Sequence, residues 1–248
     1  MGQILVDIYF IGGQVSKYED AALALSKIKD TDSAIFKINE KFDLDLPNLE
    51  DSTQDYFSDA CLRDALASIH FNSHNLNLCF IEYPLEGKYY YRSLGDGLSV
   101  ATFSKCIEEY RNSHVDLRIY ILLYIYAACV LYKRAENDST FTVDNICNSF
   151  HMQTRGCIFD NWNTVDEIFK VAEEPKLCSI CTEKYKSYLP EGFLETLNTE
   201  LKMHCKVSLY YKIYRWVNAH RLESIIISFL TSIVASIIAS VIYNAFHK

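Results

Sequence analysis

The feature that most constrains this chain is an uncharged apolar stretch close to its C-terminal end. It runs from Ile225 to Phe246, reads IIISFLTSIVASIIASVIYNAF, and contains no Asp, Glu, Lys or Arg. As a helix it would be about 33 Å long, which matches a hydrocarbon core of ~30 Å. A buried core helix is the alternative, but such helices are usually shorter and lack interfacial flanks. We therefore predict a transmembrane helix over residues 223–246.

Basic and aromatic residues flank this stretch, as is typical at membrane interfaces. Residues 206–222 are predicted to form a juxtamembrane helix that carries Lys212, Arg215, Trp216 and Arg221. The positive-inside rule then places the N-terminal domain in the cytoplasm. No signal peptide is expected at the N-terminus, because Asp7 interrupts its apolar run. These features predict a tail-anchored, single-pass protein of the inner (cytoplasmic) membrane.

A regular row of small residues runs along the predicted span. Serine recurs every four residues and a second small-residue row lies beside it; the members are Ser224, Ser228, Thr231, Ser232, Ala235, Ser236, Ala239 and Ser240. Small residues four apart let two helix backbones approach closely, and hydroxyls can bond across such an interface. A simple anchor needs no such face, so the pattern predicts a homo-oligomer. A polar stripe lining a water-filled path is a further interpretation.

Charge is unevenly distributed along the chain. Residues 1–205 contain 19 basic and 31 acidic residues, whereas residues 206–248 contain five basic residues and one acidic residue. An acidic body is unlike a nucleic-acid-binding protein, so no nucleic acid is expected as a partner. A basic end suits an anionic partner, and we expect the lipid bilayer together with an unknown protein partner or small-molecule ligand.

Hydrophobic periodicity predicts an α/β (α+β) cytoplasmic domain with a mixed sheet of about five strands and then a helical half. The predicted strands are Ile4–Ile11, Ala34–Ile38, Leu76–Tyr83, Tyr89–Leu94 and Leu98–Phe103. The predicted helices are Tyr18–Ile28 behind a Ser16/Glu19 capping box, Thr53–Ile69, Ser104–Arg111, Val115–Arg134, Val143–His151, Thr164–Ala172, and a long helix from Thr182 toward the membrane. We assign residues 1–104 to the sheet half and 105–205 to the helical half.

Cysteine and histidine spacing predicts a metal site. A C-x-x-C pair, Cys178 and Cys181, turns two thiolates toward one point, as tetrahedral zinc requires. His151 and Cys157 lie upstream and can complete a closed Cys₃His site. Structural zinc is therefore the expected cofactor, and free thiols or a redox pair remain alternatives. Other cysteines are predicted to be core residues, and His204 and Cys205 are weaker candidate ligands; the predicted core cysteines are Cys61, Cys79, Cys106 and Cys129.

These residues also carry a resemblance to a known family. The run HMQTRGCIFD from His151 to Asp160, an acidic-apolar helix after it, and LCSIC at 177–181 resemble the zinc-knuckle region of archaemetzincin-like zincins. The resemblance extends over about residues 90–185 and implies a zincin-like α/β body. A zincin also needs H-E-x-x-H, in which two His bind zinc and Glu is the base. The corresponding stretch, 115–130, contains neither His nor Glu, which implies a catalytically degenerate relative.

Other candidate sites are weaker. His70 and His74 are four residues apart at a helix end, where a surface role explains them better than a metal. Cys157 beside Arg155 suggests an activated nucleophile, although zinc ligation or burial explains it equally well. Gly12-Gly13 is better interpreted as a tight turn than as a phosphate loop. With no catalytic constellation, we expect a protein that is not an enzyme.

Three functions are compatible with this pattern. The first is a membrane effector, in which the cytoplasmic domain senses a ligand or partner and the span self-associates. This arrangement suits a membrane-disrupting effector of bacterial (anti-phage) defence. The second is a membrane-tethered adaptor, for which the span is only an anchor. The third is a membrane-tethered metalloenzyme, which would need an open coordination position on its metal.

Overall fold

A computed structural model describes residues 2–11, 19–44, 56–88, 90–95, 97–103, 106, 110, 115–141, 150–151, 155–161 and 164–246. The chain divides into two compact units, Met1–Val207 and Ser208–Lys248. The first unit is an α/β domain and the second is a pair of helices. Each unit is described by itself below.

A five-stranded mixed sheet forms the centre of the first unit. Its strands are β1 (Ile4–Ile11), β2 (Phe36–Leu44), β3 (Leu76–Ile81), β4 (Tyr91–Gly95) and β5 (Leu98–Thr102). Their order across the sheet is β2-β1-β3-β5-β4. The first four in this order run parallel, and β4 pairs antiparallel with β5 at the edge. The mixed sheet predicted from the sequence is confirmed.

Burial explains why the inner strands are apolar throughout. All six residues of β3 and all of β1 except Leu5 are buried. Strands covered on both faces read as continuous hydrophobic runs rather than as alternating ones. The charged residue of β1, Asp7, is also buried. Its carboxylate accepts from the side-chain amides of Asn39 at 2.9 Å and Asn75 at 2.8 Å. A buried carboxylate needs such donors to offset its lost hydration.

Six α-helices are present among the described residues of the first unit. They are α1 (Glu19–Lys29), α2 (Asp59–Leu66), α3 (Leu117–Asn137), α4 (Val165–Glu173), α5 (Ser179–Lys186) and α6 (Phe193–His204). The central one is α3, which contacts α1, α6 and β3. Nearly all of its first four turns are buried, so α3 is a core helix with no free apolar face.

A buried carboxylate on α6 joins three parts of this core. Glu200 Oε2 accepts from the hydroxyls of Ser33 at 2.6 Å and Tyr126 at 2.9 Å, and its Oε1 accepts from the backbone N–H of Ala34 at 2.7 Å. These contacts bind α6 to α3 and to the segment that leads into β2. The sequence pattern did not predict this network.

Several boundaries differ from the prediction for identifiable reasons. The chain at 39–44 continues β2 instead of starting a loop, because β2 is an edge strand and tolerates polar residues. Helix α2 begins at Asp59 rather than near Thr53, since the Ser58 hydroxyl accepts from the N–H of Cys61 at 3.3 Å and caps it. Instead of one long helix from Thr182, the chain forms separate helices interrupted at Pro190, at Gly192 (φ 77°) and at Cys205.

Some predicted features lie wholly or mostly outside the described residues. They are the Ser16 cap, the Gly12-Gly13 turn, and the helices predicted at Ser104–Arg111 and Val143–His151.

The second unit contains α7 (Leu209–Ala219) and α8 (Arg221–Phe246). Ser208 caps α7 by accepting from the N–H of Tyr211 at 3.2 Å. His220 separates the two helices with non-helical dihedrals, φ −125° and ψ 57°. Residues 221–243 of α8 are long and apolar enough to cross a membrane, and none of that apolar window is buried. A candidate single-pass span is therefore present where the sequence predicts one.

Candidate metal centre

The centre is assembled from two short segments of the helical half. The first segment is described at residues 150–151 and 155–161, and its two parts pair, with His151 N donating to Phe159 O at 3.0 Å and Asn161 N donating to His151 O at 2.9 Å. The second segment leads into α5 and is held against the first by Ile158 N donating to Lys176 O at 3.1 Å. This pairing brings His151 and Cys157 next to the C-x-x-C pair.

The four predicted ligands meet in space. One ligand atom from each of His151, Cys157, Cys178 and Cys181 lies within 4.8 Å of all the others. Cys157 and Cys181 are buried, and the other two are partly buried. Among the described residues this is the one group of at least three His, Cys, Asp or Glu that can hold a metal ion.

The C-x-x-C pair is presented by the start of α5. Cys178 occupies the N-cap position and Cys181 lies in the first turn, so both thiols project from one helix end. The Cys178 N–H donates to Cys157 Sγ at 3.4 Å, and the Phe159 N–H donates to the same sulfur at 3.5 Å. Backbone donors of this kind favour a thiolate over a thiol.

The spacing and chemistry fit zinc. Ligands at zinc bond lengths of ~2.0–2.3 Å in a tetrahedron lie about 3.3–3.8 Å from one another. Cys178 Sγ and His151 Nε2 are already 3.5 Å apart. Three thiols and one imidazole form a soft, four-membered donor set, for which structural zinc is the usual metal. The residues therefore fit the zinc that the sequence predicts. Four protein ligands would fill all four positions of a tetrahedral zinc ion.

The hydrogen bond between Cys157 and Cys181 shifts the pKa values of the two thiols in opposite directions. A hydrogen bond from Cys181 and the backbone N–H groups of Cys178 and Phe159 lower the pKa of Cys157 to about 5, although burial opposes this. The hydrogen bond to Cys157 and burial raise the pKa of Cys181. Zinc ligation requires thiolates, so binding would displace the Cys181 proton.

His151 is oriented by a carboxylate that sequence reasoning did not assign to the site. His151 Nδ1 lies 3.1 Å from Asp160 Oδ1. This contact favours the proton on Nδ1 and leaves Nε2 free to ligate a metal. The other carboxylate oxygen, Asp160 Oδ2, accepts from the N–H groups of Arg155 at 2.8 Å and Cys157 at 3.0 Å. Asp160 therefore positions two ligands at once.

The weaker candidate residues do not join this centre. His70 and His74 are exposed. Cys205 is buried in the core, where burial raises the pKa of its thiol, and neither it nor His204 belongs to the metal-binding group. Burial of Cys157 also argues against its being an accessible nucleophile, because a reactive thiolate needs partial exposure. Cys79, Cys106 and Cys129 are core residues as predicted, and Cys61 is partly buried against the core.

No zincin active site is evident in the part of the chain that the structure describes. The apolar helix α3 contains no His, and its single Glu is Glu136. The helix thus lacks the two His ligands, one turn apart, that H-E-x-x-H chemistry requires.

Comparison with known proteins gives a distant structural likeness. No protein-family model matches the chain, and no curated protein matches its sequence. Among solved structures the chain is similar to the crystal structure of archaemetzincin from Methanopyrus kandleri, with a TM-score of 0.47 and 12% sequence identity. The match covers 75% of this chain and 96% of that one.

Proposed function

We propose that this chain is a single-pass protein of the inner membrane whose cytoplasmic domain senses a ligand or protein partner and whose α8 helix self-associates. In a bacterial cell this architecture would serve as a membrane-disrupting defence effector. The observation that carries the proposal is an apolar helix that is long enough to cross a membrane and whose apolar window is not buried.

A comparison of α8 with α3 supports a membrane environment for α8. Both helices are long and apolar, with 21 residues in α3 and 26 in α8. The domain buries α3, whereas isoleucines along α8 such as Ile225 and Ile237 are 64% and 58% exposed. Exposing such a surface to water is unfavourable by about 25 cal/mol per Å². A bilayer removes that cost for the whole length of α8.

The hydroxyl groups of α8 support close helix packing rather than an open polar surface. Ser232 Oγ donates to Ser228 O at 2.8 Å, and Thr231 Oγ1 donates to Ile227 O at 2.9 Å. These donors are satisfied within the helix and therefore tolerate a lipid environment. The small side chains leave a shallow groove along the helix, and a second copy of α8 would fit against it.

The metal centre supports a non-enzymatic role. Its four protein ligands would saturate a tetrahedral zinc ion, which leaves no position for a water or a substrate. Bound zinc would supply a cross-link between the 150–161 segment and α5. We therefore assign the centre to stabilising the sensing domain, in place of the tethered-enzyme alternative.

The decisive experiment compares membrane potential in bacteria that express matched amounts of four chains. They are the full chain, a chain ending at Arg221, a variant with Ser228, Ser232, Ser236 and Ser240 changed to Leu, and a control with Ile226, Ile233, Ile237 and Val241 changed to Leu. The control makes the same number of changes on another side of α8. Carbonate extraction of membranes establishes which chains are integrated.

We expect the full chain and the isoleucine-side control to depolarise the membrane and to cross-link as oligomers. Carbonate should release the truncated chain, which lacks the span, and the serine variant should insert without either effect. An adaptor would give a different pattern, because the serine variant would then behave as the full chain does. Release of the full chain by carbonate would refute membrane insertion altogether.

A further inference from the structure

Helix α7 exposes an apolar face immediately before the proposed span. Leu209, Ile213 and Val217 are four residues apart and share one face with Trp216. Their exposed fractions are 72%, 53%, 38% and 42% in the order Leu209, Ile213, Val217 and Trp216. These four residues are called the interfacial face below. Such a contiguous apolar face on a surface helix indicates an interaction site.

The charged residues in the segment that carries this face are all basic. Residues 206–222 contain Lys206, Lys212, Arg215 and Arg221 and no acidic residue. Lys212 and Arg215 are three residues apart, which places them together on one flank of α7 next to the interfacial face. Their long side chains can extend from that flank while the apolar face stays buried in another medium. The face is therefore complementary to a surface that is apolar inside and anionic outside.

The proposed span follows α7 directly in the chain, so α7 would lie next to the membrane surface. Only His220 separates Ala219, the last residue of α7, from Arg221, the first residue of α8. Consecutive Cα atoms are ~3.8 Å apart, so the Cα atoms of Ala219 and Arg221 lie within about 7.6 Å of each other, and the end of α7 is close to the start of the proposed span. The break at His220, with φ −125° and ψ 57°, prevents α7 from simply lengthening α8. The ring of Trp216 stacks on that of His220, with centroids 5.3 Å apart, at this bend.

We propose that α7 lies in the membrane surface, with its interfacial face in the boundary between headgroups and acyl chains, and that Lys212 and Arg215 bind the phosphates of anionic lipids. The occupant of the interfacial face is thus an anionic bilayer and not a protein partner. The inference rests on the proposed insertion of α8, and it adds a lipid preference that a bare span would not have. Tryptophan at the headgroup level and basic residues beside it are the usual composition of such helices.

The experiment locates Trp216 relative to lipid. The full chain carrying Trp162→Phe, which leaves Trp216 as its single tryptophan, is placed in nanodiscs that contain phosphatidylglycerol and phosphatidylcholine. A small fraction of one of the two lipids is brominated, either near the ester group or near the chain end. Quenching of Trp216 then reports both its depth and which lipid lies beside it. Carbonate extraction of the same chain from cell membranes tests insertion separately.

We expect stronger quenching by shallow than by deep bromines. Brominated phosphatidylglycerol should quench about threefold more than brominated phosphatidylcholine, since each basic residue near an anionic surface attracts its lipids. Lys212→Gln with Arg215→Gln should bring this ratio to about one, and so should high salt. The control Lys186→Gln with Lys202→Gln removes the same charge from exposed positions on α5 and α6 and should leave the ratio unchanged.

Two outcomes would overturn the inference while insertion stands. In one, a carbonate-resistant chain shows no quenching by any lipid, which means that the interfacial face is covered by protein. In the other, the two brominated lipids quench equally before any substitution. Release of the chain by carbonate would overturn both this inference and the proposed insertion.

Discussion

His151 and Asp160 form a close pair at the candidate metal centre. The carboxylate lies 3.1 Å from His151 Nδ1, and His151 Nε2 lies on the other side of the ring, 3.5 Å from Cys178 Sγ. Nδ1 of the ring therefore faces the carboxylate, and Nε2 faces the thiols. Because Asp160 also accepts the N–H of Cys157, the orientation of one ligand is coupled to the backbone of another.

The first prediction concerns this coupling. Asp160→Asn should lower zinc affinity about 10- to 100-fold, because it removes the charge that orients and polarises His151. Competition with a chromophoric zinc chelator measures the affinity directly. Glu191→Gln, at an exposed site, serves as the control and should bind zinc as the parent does. An unchanged affinity for Asp160→Asn would show that the carboxylate plays no part in metal binding.

The second prediction concerns the identity of the ligands. The purified chain should contain one zinc ion per molecule by elemental analysis. Serine in place of Cys157, Cys178 or Cys181 should abolish this content, whereas Cys61→Ser should keep it. Finding the same zinc content in all four variants would place the metal elsewhere.

Removal of the metal should lower stability. At a free zinc concentration 1,000 times the dissociation constant, binding stabilises the fold by about 4 kcal/mol. For a domain of this size that corresponds to a Tm about 10 °C higher. A strong chelator should therefore lower the Tm by about this amount in the parent and leave the Cys178→Ser variant unchanged. A Tm that is insensitive to chelation would argue for free thiols.

The fold was predictable where burial and sequence pattern agree. Strands β1 and β3 are covered on both faces, so their continuous apolar runs identify them. The second half of β2 was missed because an edge strand borders solvent and carries polar residues such as Lys41. The breaks that separate α5, α6 and α7 depend on single residues such as Gly192. Hydrophobic periodicity does not detect the effect of a single residue.

The site was predictable in part for a related reason. A C-x-x-C pair has a local geometric meaning, so Cys178 and Cys181 stand out from sequence alone. Asp160 carries no such signal, because its role depends on the bridge that pairs the backbone of Asp160 with that of His151. The Glu200 network joins residues up to 167 positions apart, and no local pattern reports contacts at that separation.

The fourth prediction concerns Glu200. Glu200→Ala leaves the Ala34 N–H and the Tyr126 hydroxyl without their acceptor, and the free energy of unfolding should fall by about 4 kcal/mol. Glu200→Gln keeps one oxygen for Ala34 N and should cost about half as much. Glu195→Ala, at an exposed position on the same helix, should change stability by no more than about 0.5 kcal/mol. Denaturant titration of the full chain in detergent tests the ranking, and equal losses for the alanine variants would contradict it.

The last prediction separates two costs of replacing a glycine. Gly97 and Gly192 have nearly equal positive φ values, 73° and 77°, so an alanine at either position should cost about 1 kcal/mol of backbone strain. A Cβ on Gly192 would meet nothing, whereas one on Gly97 would lie 3.1 Å from Asn75 O and 3.3 Å from Tyr132 Cε2. Displacing these atoms should cost a further ~1–3 kcal/mol.

The two variants should therefore differ clearly in thermal unfolding. Gly192→Ala should lower the Tm by about 3 °C and Gly97→Ala by about 8 °C, given ~2–4 °C per kcal/mol for a domain of this size. A combined Gly97→Ala and Tyr132→Ala variant relieves the ring contact but also removes the packing of the ring. Its Tm should thus exceed the value expected if the two single losses were additive, because the clash and the ring are the same interaction. Strict additivity would mean that Asn75 O alone opposes the new methyl group.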